Sequence, residues 1–154
     1  MNDLSKIKSR LKAYSFILIF VALSRTLVSI IEVVTSPDII TAALVAQGVS
    51  GVSGIYNTIA TITIVFSVVG FLLVLFIGLK GIIMANGGKR SGAAIVLIWI
   101  LTILAGISFI MSTVNIFRGA LSITDANYWL ALAVLVFQIA YIVYVKKLYD
   151  AKRI

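Results

Sequence analysis

Four apolar runs, at about 13–34, 55–79, 93–116 and 129–145, are separated by short polar or glycine-rich breaks. A helix that rises about 1.5 Å per residue needs about 20 apolar residues to cross a hydrocarbon core roughly 30 Å thick. Each run is close to that length. The pattern predicts an all-α integral membrane protein, a four-transmembrane-helix bundle forming one membrane domain over residues 1–154. An outer loop at 36–54 and a cytoplasmic hairpin at 80–92 complete it, and the spans leave no room for a separate soluble domain. A mean hydropathy of +1.18 and 62% hydrophobic residues point the same way.

Charge then orients the spans. Lys6, Lys8, Arg10 and Lys12 precede the first run, Lys80, Lys89 and Arg90 lie between the second and third, and Lys146, Lys147, Lys152 and Arg153 follow the fourth. The two other connections carry only Asp38, Arg118 and Asp125. Basic residues collect on the cytoplasmic side, so both termini are expected in the cytoplasm and the chain in the plasma membrane. Tyr128 and Trp129 then fall at the outer interface, and Tyr14, Tyr144 and Tyr149 near the inner one, where amphipathic rings are favoured. The net charge of +8 is explained by these flanks, without a basic stripe interleaved with aromatics, so nucleic acid is not an expected partner. The first run is too long for the core of a signal peptide, and Pro37 follows Ser36 where cleavage would be expected; it reads as an uncleaved span.

Two connections have distinctive composition. Residues 39–47 are apolar or small, and Gly48, Gly51 and Gly54 follow. The frequent glycines favour a linker after a short surface helix over a re-entrant helix. Gly87-Gly88-Lys89-Arg90-Ser91 looks like a phosphate-binding loop at first sight. Ile83, however, stands where such a loop needs its first glycine, and Arg90 where it needs a hydroxyl, so the segment reads as a turn.

The chain has no cysteine and no histidine. Disulfides, thiol chemistry, zinc sites, the usual haem ligands and the commonest general base are thereby removed. No paired intramembrane aspartates are present either. No enzyme activity, cofactor or metal is expected.

What remains is the polar content of the spans. Arg25, Ser29, Glu32 and Ser36 recur at i, i+4, i+7 and i+11 and share one helix face. Arg25 falls near mid-depth, where an arginine costs about 2.5–3.5 kcal/mol on insertion scales, so it should face the bundle interior or water. Glu32 lies about 10.5 Å further along the axis, and both side chains lean toward the helix N-terminus, so a direct pair is not expected. The third span adds Ser108, Ser112 and Asn115, and the second Asn57, Thr61, Thr63 and Ser67. Gln138, in the fourth, is expected to make a helix–helix hydrogen bond. Most of these groups gather between mid-membrane and the outer face, while 71–77, 94–101 and 139–145 are nearly dry.

An outward-facing polar vestibule sealed below by aliphatic packing follows, with Arg25, Ser29, Glu32, Ser108, Ser112 and Asn115 as ligand- or partner-binding residues. The competing reading is that serine and threonine hydroxyls bond back to their own helices and serve packing alone. Small residues mark candidate seams: Ala126, Ala133 and Ala140 at heptad spacing, Thr102 with Gly106, and Gly70 and Gly78. They suit packing within the bundle or self-association.

Two functions fit. The favoured one is a small accessory or immunity-like subunit whose outer face binds another membrane protein, a peptide, a lipid headgroup or a small anionic ligand. The alternative is an oligomeric transporter or channel for a small solute or ion, with Arg25 as anion site or Glu32 as coupling carboxylate.

Overall fold

A computed structural model of the chain describes residues 3–35, 37, 52–119 and 123–152. Four helices run through the described residues: α1 (Asp3–Thr35), α2 (Val52–Ala85), α3 (Gly92–Phe117) and α4 (Ala126–Lys152). Each is long and apolar enough to cross a membrane. A helix is what such sequences must form in lipid, because it satisfies every backbone amide within its own segment. The surface agrees: Phe16, Phe20, Ile31, Val65, Ile103 and Ile110, among other large apolar side chains, point outward. Most of the outer connection, including the glycines at 48 and 51, lies outside the described residues.

The start of α1, the end of α4 and the α2–α3 turn lie at one end of the bundle, here called basal. The turn is closed by helix-capping chemistry. Gly87 takes a φ of 97°, and the amide of Gly88 donates to the carbonyl of Ile83 at 2.9 Å, which uses the last carbonyls of α2. Ser91 then caps α3, its hydroxyl accepting from the amide of Ala94 at 3.3 Å. At the distal end Tyr56 donates to the carbonyl of Val33 at 2.5 Å, and the side chain of Asn127 donates to Glu32.

The helices alternate in direction. α1 packs most extensively on α2 and then on α4; α3 rests on α4 and touches α2 far less. Buried positions follow alternating steps of three and four residues, the seam of a left-handed bundle. On α4 they are Ala131, Val134, Gln138, Tyr141, Val145 and Leu148. Ala126 is exposed and Ala133 and Ala140 are half-buried, so the seam does not run along the expected alanine triplet. The larger Tyr141, Val145 and Leu148 claim the interior instead, because they bury more apolar area.

Close approach comes from α2. A methyl group added at Gly78 would meet Ile19 at 2.5 Å and the carbonyl of Ser15 at 3.1 Å, and one added at Gly81 would run into Ser15 and the Tyr141 ring. The Tyr141 hydroxyl donates to the carbonyl of Ile77 at 3.0 Å, which fixes that ring over α2. Leu11, Leu18, Ile77, Met84, Ile98 and Leu148 fill the space around it. The basal half is thus a dry, well-filled core. A methyl group added at Gly106 would meet nothing within 4 Å, and Thr102 bonds its own helix at Ile98, so the Thr102–Gly106 pair makes no close helix contact among the described residues.

Candidate functional site

The same seams continue into the distal half, but their residues change. On α1, Leu11, Ser15, Leu18 and Ala22 lead to Arg25 and Ser29. On α2, Ile77 and Val74 lead to Gly70, Ser67 and Thr63; on α3, Ala94 and Ile98 lead to Leu101, Ala105 and Ser108. Interiors pack to high density when seam residues are large enough to interdigitate. Glycine, serine, threonine and alanine cannot bridge helices held apart by the larger core beneath them. A cavity of about 520 Å³ results.

Arg25, Thr26 and Ser29 form one wall of this cleft. Thr63, Ser67 and Gly70 face them from α2, Leu101, Ala105 and Ser108 come from α3, and Val134 and Gln138 from α4. Of the residues the sequence singled out, Arg25, Ser29, Ser108 and Gln138 therefore meet in one space. Glu32, Ser112 and Asn115 do not line it. Glu32 is exposed at the distal end and bound to Asn127. Between the distal ends of α3 and α4, Phe109 stacks on Tyr128 at 5.1 Å, and Thr113 lies 3.4 Å from the Tyr128 hydroxyl. Ser112 and Asn115 sit at that closed end.

Hydroxyl groups sort into two classes. Ser15, Ser24, Thr61, Thr102 and Thr113 each donate to the carbonyl four residues earlier in their own helix. Such bonds need no tertiary partner and carry no recognition. The cleft hydroxyls of Ser29, Thr63, Ser67 and Ser108 make no side-chain hydrogen bond with any described residue, while Thr26 reaches across to the carbonyl of Ser67 at 3.4 Å. Back-bonding thus accounts for Thr61 and not for Thr63 or Ser108.

Gln138 departs from expectation more sharply. It is only 2% exposed, yet its Oε1 has no hydrogen-bond partner. Among the described residues it joins no helix to another; it presents an unsatisfied amide oxygen at the cleft, a state that ordinarily costs about 1–3 kcal/mol. Arg25 is half-buried in the same space and makes no hydrogen bond or ion pair with any described residue. Sequence reasoning passed over Ala22 and Ala105 altogether, and took Gly70 as a packing seam rather than as cleft lining. Stepping by three and four along each helix from the large basal residues would have found them, because the seam is periodic and only its side-chain volume changes.

The lining contains one full positive charge, several unsatisfied hydroxyls and an amide, and no Asp, Glu or Lys. It offers five guanidinium N–H donors, suited to the paired oxygens of a carboxylate or phosphate. No nucleophile is set beside a base. Two basal hollows of about 430 Å³ each place cations beside rings, with Arg90 4.6 Å from the Tyr149 ring centre and Arg10 donating to the Tyr144 hydroxyl at 2.8 Å. These fit anchoring at a headgroup layer.

Fold and cleft together define the class: a multi-pass membrane bundle, with four spanning helices among the described residues and a cationic internal cleft. Comparison with protein-family models, curated proteins and solved structures finds no significant match.

Proposed function

We propose that the chain is a non-enzymatic accessory membrane protein that holds an anionic group of a membrane-embedded partner or ligand in its cleft. The observation that carries this reading is Arg25: a guanidinium at mid-bundle, beside open space, with no counter-charge among the described residues. A charge so placed is costly when empty and rewarding when matched, the usual mark of a binding residue inside a membrane. Ser29, Ser67 and Ser108 supply further hydrogen bonds, and Gln138 an amide that can both donate and accept.

The transport alternative gains no support from the cleft's floor, where Leu18, Ile77, Ile98 and Tyr141 leave no polar route to the basal end. In the proposed orientation the basal end, with its lysines and arginines, faces the cytoplasm of the plasma membrane, and a reporter fused to either terminus reads cytoplasmic. The central test is affinity purification of the full chain in mild detergent. Wild-type protein should bring down a stoichiometric protein or lipid partner, and Arg25→Gln should lose it at unchanged expression and helicity. Recovery of the same partner by both forms would refute the reading.

A further inference from the structure

We infer that the cleft is a lateral portal, open to the bilayer between α2 and α3, and that its occupant is a long-chain amphiphile with an anionic headgroup. Its carboxylate or phosphate sits on Arg25 while its hydrocarbon chain lies against Phe66 and Leu104. The inference rests on the proposed function, since it names the ligand of the same cleft.

The route comes from packing. α2 and α3 are tied by a short basal turn yet are the least packed of the neighbouring helix pairs. Where they separate, Ile62, Phe66 and Leu104 line the cleft while remaining 50%, 72% and 56% exposed on the outer surface. The cleft wall is therefore continuous with the lipid-facing surface. Gly70 lies deeper, and a methyl group added there would meet nothing within 4 Å.

Chemistry selects the occupant. A soluble anion would have to shed its hydration against an apolar rim, whereas an amphiphile already resides in the bilayer and can slide in headgroup first. Once inside, the headgroup meets the guanidinium, the free hydroxyls and the Gln138 amide, none of which has a partner among the described residues. Size argues against a partner's transmembrane helix. Such a helix is about 10–12 Å across with its side chains, so even two turns exceed the space. A cavity of about 520 Å³ lies within the usual small-molecule range of roughly 300–1,000 Å³.

The test is a titration of the purified full chain, in neutral detergent, with a fluorescent polyene fatty carboxylate. Saturable binding is expected, weakened about tenfold or more by Arg25→Gln, as loss of a charge-assisted contact implies. Gly70→Leu, which fills the slot, should weaken it similarly while the protein remains helical and monodisperse. A fatty methyl ester should fail to compete, because it keeps the chain and lacks the charge. Competition by a phosphate-headed single-chain lipid would show that the cleft accepts phosphate as well as carboxylate, and competition by free fatty acid alone that it is confined to carboxylates; either result supports the inference. Equal binding by wild type and Arg25→Gln, or equal competition by the methyl ester, would overturn it. If no amphiphile binds while a protein partner still co-purifies in an Arg25-dependent way, this inference falls and the accessory reading stands. If nothing depends on Arg25, both fall.

Discussion

Replacing Arg25 with leucine should make the empty protein more stable by about 1–3 kcal/mol while abolishing retention of its partner. Most substitutions at a bundle interior destabilise, so the sign is diagnostic. Arg25 occupies a seam position, three residues after buried Ala22 and four before Ser29, where an apolar side chain would normally sit. It makes no bond to any described residue that the change would break. Leucine removes a charge from the membrane interior and fills part of the cleft. The gain stays below the full insertion cost of about 2.5–3.5 kcal/mol because the guanidinium is only half-buried. Unfolding in mixed micelles under increasing denaturing detergent reads the effect. A loss of stability would mean that Arg25 has a structural partner within the chain. Binding sites commonly trade stability for function in this way.

A second large effect lies on α2, where the same change should destabilise at one glycine and not at the other. Gly81→Ala should destabilise the bundle by about 1–3 kcal/mol, the usual range for overpacking. The added methyl would strike Ser15 and the edge of Tyr141, a ring that is buried and tied to Ile77 by its hydroxyl, so neither neighbour yields easily. Gly70→Ala adds its methyl to empty space and should be neutral or stabilising by up to about 1 kcal/mol, since alanine favours helix over glycine. Thermal melts of both variants, followed by circular dichroism, check the contrast. Equal effects would show that α2 does not hug α1 at the basal end and part from α3 distally.

The four spans were legible because lipid demands long apolar helices and the sequence supplies four uninterrupted runs. Their ends were not. α1 begins at Asp3, well ahead of the apolar run, and α4 continues to Lys152. Long basic side chains can stay helical and reach water at the same time, so charge marks the interface without ending the helix. The cleft was legible in part. A shared helix face brought Arg25 and Ser29 together correctly, and the same face placed Glu32 with them. A straight helix drifts by about 20° per heptad against a strict seven-residue repeat. By the distal end of α1 that drift puts Val33 in the seam, where it is buried, and swings Glu32 out toward Asn127. Gln138 was legible as a deep polar residue but not as an unpaired one, because pairing depends on what the facing helices leave empty.

Thiol accessibility tests the open, unpaired cleft most directly, since the chain has no native cysteine. Single substitutions Ser29→Cys and Ser67→Cys place a thiol on the cleft wall, and Ser15→Cys places one in the dry core on the same α1 seam. In native membranes a small neutral thiol reagent should modify the first two quickly and leave the third intact until the protein is unfolded. Protection of positions 29 and 67 as complete as that of position 15 would show a bundle packed shut from end to end, with no place beside Arg25 for anything to bind.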